Sequence, residues 1–310
     1  EFDLIIIGGG PAGLSAALYG ARGNISTLVM EKGLPGGELN NTEEVENYPG
    51  IDNTKGPQIA EMMIDHAKRF GAQFQDLTTI YSVDLKAQPK VLKTDQGEFH
   101  AKSIIIATGS EHRKLGVPGE KEFAGKGVSY CAVCDGAFFK NKHVVVVGGG
   151  NAAVEEGNFL TRHASKVTLI HRRDTLRAEK IIQQRAINNP KMNFIWDTTI
   201  ESIEGDLMGV TKVKIKNLKT GEQSELACDG VFIYVGLEPN IELFKGQVET
   251  DEGNRIITND KLETNIPGVF AAGDVRVTPL RQAVTAAADG SLAATIAIGY
   301  IESVEAQAHS

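Results

Sequence analysis

The chain contains one supersecondary unit twice. Leu4-Ile5-Ile6-Ile7 runs into Gly8-Gly9-Gly10, and 140 residues later Val144-Val145-Val146-Val147 runs into Gly148-Gly149-Gly150. A helical pattern follows each glycine turn, over Pro11–Arg22 and over 151–163. A second short apolar run follows each helix, at 26–30 and at Lys166–Ile170, with no gap in the 140-residue offset. Strand, glycine turn, helix and strand make the first half of a doubly wound α/β domain. Strands that are apolar without alternation are covered on both faces, as parallel strands with crossover helices are.

The remaining segments extend both copies. Residues 55–70 read as a helix. Residues 80–83, Lys90–Thr94 and 98–101 read as an antiparallel meander, and 103–107 as a further buried strand. Residues 198–203, 210–217 and 223–226 repeat the meander, and 229–235 repeat the buried strand. A strand near 268–271 and an Ala-rich helix remain at the end with no sheet of their own, so they are expected to return to the first domain. The expected fold class is α/β, with two Rossmann-like domains, each three-layered with a parallel sheet and a meander, the second inserted into the first. Linker chemistry at 117–120 and 236–240 sets the expected domains at 1–116 with 241–310, and at 117–240. A length of 310 residues agrees with two domains.

The turn Gly8-x-Gly10-x-x-Gly13 lies between a strand and a helix, where glycines let backbone approach a pyrophosphate and the helix start offers free N–H groups. Glu31 stands 21 residues after Gly10, the place of an acidic ligand for a free ribose 2′-OH. FAD and NAD both fit that site. The second turn reads Gly148-x-Gly150-x-x-Ala153. His171 occupies the position equivalent to Glu31, followed by Arg172, Arg173 and Arg177. Guanidinium groups bind a 2′-phosphate that a carboxylate would repel, so this site is expected to take NADP. Two nucleotide sites in one chain point to electron transfer between two cofactors.

Cys131-Ala132-Val133-Cys134-Asp135 is the third constellation. Two intervening residues allow a small, reducible disulfide. Half of a zinc site would need two more Cys or His ligands at suitable spacing. The one other cysteine, Cys228, is distant and begins a strand, so no metal is expected and Cys228 reads as a buried core thiol. Asp135 is placed to exchange a proton with the dithiol or a reduced flavin.

The order of these motifs, with Gly36-Gly37, the run Val45-Glu46-Asn47-Tyr48-Pro49-Gly50, Gly273-Asp274 and Arg281-Gln282-Ala283, closely resembles the low-molecular-weight thioredoxin reductases. The resemblance covers essentially the whole chain. It implies FAD in the first domain, held by Gly8, Gly10, Pro11, Ala12, Gly13, Glu31, Gly37, Glu38, Asn47, Thr108, Gly109, Gly273, Asp274, Arg281, Gln282 and Ala283. It implies NADPH in the second, held by Gly148, Gly150, Asn151, Ala152, Ala153, His171, Arg172, Arg173 and Arg177. By the same resemblance Cys134 faces the flavin, Cys131 attacks the disulfide of thioredoxin, Asp135 is the acid, and the chain forms a homodimer. Asp274 would hold the ribityl chain, and Thr278-Pro279 would begin the last helix. Glu38 departs from the family pattern, which usually has Gln there. Cys134 and Gly148 lie only 14 residues apart, so the inserted domain is expected to rotate to bring each in turn to the flavin.

Composition narrows the partners. A net charge of -8 argues against non-specific binding to nucleic acid or an anionic membrane. The longest apolar stretch, 283–300, contains Asp289 and Gly290 and reads as a soluble helix. No basic, apolar leader opens the sequence, and three cysteines fit a reducing compartment, so a cytoplasmic location is expected. A ferredoxin-driven reductase or a dithiol oxidase on this fold would lose the second loop or its arginines. A redox-sensing module would bind FAD without reducing a protein disulfide.

Overall fold

A computed structural model of the chain describes residues 1–42, 45–52 and 54–308. It divides into two compact units, Glu1–Glu111 with Glu238–Ser310, and His112–Leu237.

The first unit starts with β1 (Phe2–Ile7), α1 (Pro11–Arg22), β2 (Thr27–Met30), α2 (Gly56–Arg69) and β3 (Gln73–Gln75). Then come β4 (Ile80–Asp84), β5 (Lys90–Thr94) and β6 (Gly97–Ile106). The six strands form one seven-stranded sheet in the order β3-β2-β1-β6-β5-β4, completed by the strand Val269–Ala271, which pairs with β6. Alternate residues face opposite ways in a strand, so each strand feeds two cores. Leu4, Ile6, Val29, Ile105 and Phe270 pack under α1 and the C-terminal helix. Ile5, Ile7, Leu28, Ile104 and Val269 face the other way, towards Leu92 and Phe244.

One expectation is corrected here. Residues 98–101 and 103–107 are not two strands but the single β6. Its first half pairs antiparallel with β5, from Gly97 opposite Thr94 to Ala101 opposite Lys90. Its second half pairs parallel with Val269–Ala271. Lys102, the polar residue that broke the apolar pattern, turns outward to an ion pair with Asp3 at 2.6 Å and another with Glu305.

The last helix spans Ala283–Ala308. Its best window has mean hydropathy 1.4, long and apolar enough to cross a membrane by length and composition. In this fold Ala286, Ala293, Ala294, Ala297 and Ile301 are buried with α1. Asp289 within it accepts from Gly273 N–H and pairs with Arg276, both at 3.0 Å. The helix starts later than Thr278-Pro279 predicted. Ala286 N–H donates to Gln282 C=O, and Gln282 N–H donates to Thr285 Oγ1, a reciprocal cap that places the first turn at Ala283. Thr278 instead donates to Leu280 C=O. Gly290 lets the helix touch α1, since a Cβ there would lie 1.9 Å from Ala12 O. Gly290→Ala is therefore expected to destabilise the protein by about 2–3 kcal/mol through helix displacement, read as a lowered denaturant midpoint with an unchanged slope.

The second unit has a five-stranded parallel sheet, in the order Met192–Ile195, Lys166–Ile170, His143–Gly148, Gly230–Tyr234 and Val128–Ser129. The repeat persists in register. Leu4 lies opposite Thr27 in the first unit, and Val144 opposite Val167 in the second. The meanders differ. In the first unit β4 and β5 extend the main sheet, whereas Thr198–Asp206, Gly209–Asn217 and Gln223–Ala227 form a sheet of their own. The helix of the second copy is Asn151–Leu160, shorter than 151–163, because Leu160 C=O accepts from both His163 N–H and Ala164 N–H in a closing turn.

The chain crosses between units at 111/112 and 237/238, whereas linker chemistry placed the crossings at 116/117 and 240/241. The physical reason is that 117–120 is a turn built into the second unit. Pro118 C=O accepts from Ile203 N–H at 2.9 Å, and a Cβ on Gly119 would lie 1.8 Å from Ile203 O. Asn240 belongs to the first unit, where its N–H donates to Gly109 C=O.

Candidate active site

Both glycine turns are held where other residues would not fit. Gly8 has φ +108° and a Cβ on it would lie 2.3 Å from Ala107 O; Gly148 has φ +144° and would place one 2.3 Å from Tyr234 O. A Cβ on Gly13 would lie 1.9 Å from Gly8 O, so the first helix meets its strand there without a side chain. Ala153 fills the equivalent place in the second unit. Gly10 and Gly150 begin their helices with no side-chain cap, leaving the first-turn N–H groups of Ala12 and Gly13, and of Asn151, Ala152 and Ala153, to a ligand.

The residues 21 positions on behave differently. Glu31 binds its own loop: Oε2 accepts from Gly9 N–H at 2.7 Å and Oε1 from Gly33 N–H at 2.8 Å. One lone pair per oxygen remains for a ribose hydroxyl. His171 is 4% exposed, and its ring fills the space a Cβ of Gly149 would need, 2.3 Å from Cε1. Burial and the cations at Arg177, Arg172 and Arg173 push the imidazole down towards its neutral form. Its buried Nε2 has no hydrogen-bond partner.

Around the first loop, the expected flavin neighbours converge within the first unit. Gly36 N–H donates to Gly9 C=O, and a Cβ on Gly37 would lie 2.9 Å from Gly10 Cα. Asn47 Nδ2 donates to Gln282 Oε1 at 2.9 Å. Ala283 packs against the cluster of Leu39 and Val45. Asp274, after Gly273, lies within electrostatic reach of Arg281, Asp289 and Glu38. Thr108 is engaged differently: its hydroxyl donates to Asn240 C=O at 2.7 Å, and Asn240 Nδ2 returns a bond to Thr108 C=O. Gly109 beside it has φ +63°.

In the second unit the arginine segment is tied to the glycine turn. Arg177 N–H donates to Gly149 C=O at 2.7 Å. Asn151 grips Glu179 twice, Nδ2 donating to Oε1 and Oδ1 accepting from Glu179 N–H. Asn151 thus shapes the loop. Arg172, Arg173 and Arg177 are exposed, and among the described residues no carboxylate pairs with them. Asp174, between them, pairs with Lys219.

Cys131 and Cys134 form a disulfide with Cα atoms 5.3 Å apart. Cys131 caps a short turn, and its Sγ accepts from Cys134 N–H at 3.1 Å. Cys131 is half-buried and Cys134 exposed. Asp135 N–H donates to Cys131 C=O. Beside Asp135 opens a cleft of about 380 Å³ whose walls include Lys126, Phe138, Lys142, Asp206 and Met208. Cys228 is a buried free thiol, pushed up to about 12 by burial. Among the described residues no group of three or more His, Cys, Asp or Glu is arranged to hold a metal.

Residues 2–290 match the family model of the pyridine nucleotide-disulphide oxidoreductases. The chain is 51% identical over 304 residues to a thioredoxin reductase of Bacillus subtilis, covering 98% of this chain and 96% of that one. It is 52% identical to one of Listeria innocua, covering 98% and 95%. The crystal structure of Lactococcus lactis thioredoxin reductase in its FR conformation superposes with a TM-score of 0.96 at 48% identity, covering 98% of this chain and all of that one. The chain belongs to the thioredoxin reductase family. This family uses FAD and NADPH.

The residues present fit both groups of a thioredoxin reductase. Asp274 offers a largely buried carboxyl, pushed up to about 6 by burial, whose oxygens suit the hydroxyl donors of a polyol chain. The unpaired guanidinium groups and the unpartnered His171 Nε2 suit a phosphorylated ribose. The Asp274 shift has a stability consequence. Its folded value lies above the ordinary 3.8, so the cofactor-free chain has this group's full contribution below about pH 4 and loses it as pH rises through about 6. Asp274→Asn is expected to gain stability over the parent, from nothing near pH 4 to about 2–3 kcal/mol above pH 7. Denaturant melts of the FAD-free proteins against pH would check this; parallel curves would refute it.

Sequence reasoning missed several residues here. Asp289 and Asn240 were visible as polar residues in apolar or linker surroundings. Ser129, Glu120, Tyr130 and Tyr234, which surround the dithiol, carry no motif.

Proposed function

We propose that the chain reduces thioredoxin at the expense of NADPH, through FAD and the Cys131–Cys134 pair. The observation that carries this is a formed Cys131–Cys134 disulfide on the same unit as an arginine-flanked dinucleotide turn. FAD, bound in the first unit, and NADPH, bound in the second, would supply hydride-derived electrons to the disulfide. The residues proposed to hold them are those assigned above.

The chain's own part is thiol exchange. Two electrons and two protons convert the disulfide to Cys131 and Cys134 thiols. The Cys131 thiolate, stabilised by Cys134 N–H, attacks one sulfur of the thioredoxin disulfide and releases the other as thiolate. Cys134 then attacks Cys131 Sγ, restoring the internal disulfide and releasing reduced thioredoxin. Asp135 would exchange the proton at the Cys134 sulfur. The cleft beside Asp135 supports approach of a protein partner on this side of the dithiol.

Homodimer formation is part of the proposal, supported by exposed Tyr19, Met62 and Phe70 on α1, α2 and its end. So is a cytoplasmic location with no nucleic-acid or membrane partner, supported by the acidic charge balance and the buried free Cys228. Rotation of the second unit rests on the 14-residue spacing of Cys134 and Gly148; a scattering profile identical through turnover would count against it. The deciding experiment is anaerobic titration with NADPH, then oxidised thioredoxin. Flavin colour should bleach with the first and return only with the second.

A further inference from the structure

Two tyrosines outside every motif grip the dithiol segment from opposite ends. Tyr234, 8% exposed at the end of the strand Gly230–Tyr234, accepts through its hydroxyl from Ala132 N–H at 2.9 Å. Ala132 is 1% exposed and directly follows Cys131, so this amide has no access to water. Tyr130 directly precedes Cys131, and its hydroxyl donates to Glu120 Oε1 at 2.6 Å. Glu120 is 5% exposed and its carboxylate also accepts from Leu115 N–H at 2.9 Å and Gly116 N–H at 2.6 Å. Lys114 Nζ stands 3.6 Å from the centre of the Tyr130 ring. The His112 ring touches both tyrosines, stacked on Tyr130 at 6.3 Å and edge-on to Tyr234 at 5.8 Å.

We propose that Tyr234 and Tyr130 are positioning residues for Cys131, holding its flanking backbone so that Cys134 N–H stays aimed at Cys131 Sγ. The proposal rests on the reading of Cys131 as the attacking thiolate. The argument is geometric. The sulfur–amide contact at 3.1 Å depends on the turn Cys131–Cys134 keeping its shape. That turn is only one turn long, and Ser129 is its other local tie, through Cys131 N–H at 3.1 Å. Such a short turn has little cooperative stability of its own. External anchors at residues 130 and 132 therefore set where the amide of residue 134 points. The Tyr130 phenol is pushed up by burial and by Glu120, so it remains a donor over the working pH range.

The test is the pH dependence of Cys131 alkylation by iodoacetamide in the dithiothreitol-reduced holoenzyme, read by peptide mass spectrometry. Tyr234→Phe keeps the ring and leaves Ala132 N–H buried without an acceptor. Its midpoint is expected to rise by about one pH unit, about tenfold less thiolate below the midpoint. Tyr130→Phe, at a half-buried position that tolerates loss of the hydroxyl, should move the midpoint the same way by about half a unit. A purely structural role would lower the melting temperature and leave the midpoint in place. Midpoints of both variants matching the parent overturn the proposal; if Tyr234→Phe does not fold, Tyr130→Phe alone decides. Thioredoxin reduction is assayed in parallel on the parent. Its absence there would refute the functional reading, while the alkylation curves would still judge the tyrosines.

Discussion

Cys134→Ser is expected to cut NADPH-driven reduction of thioredoxin by about 10³-fold or more, because removing one member of a unit that acts together removes nearly all of its effect. A serine hydroxyl cannot be oxidised to a disulfide, nor displace a mixed disulfide. If Cys131 attacks, its adduct with thioredoxin has no internal thiol to resolve it. The chain and thioredoxin should therefore accumulate as a covalent pair on a non-reducing gel with Cys134→Ser, and not with Cys131→Ser. The amide contact from residue 134 to Cys131 Sγ favours this assignment; the greater exposure of Cys134 opposes it. Trapping only in Cys131→Ser would reverse the two roles. Full activity in both variants would end the relay altogether.

The second large effect concerns the arginines. Joint replacement of Arg172, Arg173 and Arg177 by Ala is expected to raise KM for NADPH by about 10²-fold, since each charge-assisted bond to a phosphate is worth about 1.5–3 kcal/mol before solvent screening. KM for NADH, which lacks the 2′-phosphate, should change by less than about threefold. The ground is their exposure and freedom from carboxylate partners, together with the tie from Arg177 N–H to Gly149 C=O that fixes the segment against the turn. Rising salt should erode the parent's preference for NADPH by screening these exposed charges. Equal loss for both nucleotides would mean the arginines support the loop rather than read the phosphate.

Much of the site was legible because its chemistry is written at short range. A glycine turn between a strand and a helix, an acidic or basic residue 21 positions later, and two cysteines separated by two residues each need only neighbours in the chain. What those neighbours do was less legible. Glu31 and His171 occupy equivalent places, yet one binds Gly9 N–H while the other packs its ring on Gly149 with an unpartnered nitrogen. Asn151 reads as a nucleotide ligand and proves to be tied to Glu179. The turn at 117–120 has linker composition and is part of the second unit, because Pro and Gly mark a bend without saying what the bend packs against.

The repeat, the parallel strands and the three chemical motifs were determined by the amino-acid sequence alone, since hydrophobic period and turn chemistry act over a few residues. The tertiary structure alone decided that β6 serves three partners, β1, β5 and Val269–Ala271, that Asp289 reaches Arg276, and that Tyr130 and Tyr234 close on the dithiol. The longest of those contacts join Ala132 to Tyr234 and Ile104 to Val269, and no local pattern encodes a partner at such distances, because it is the folding of the whole sheet that brings the two ends together.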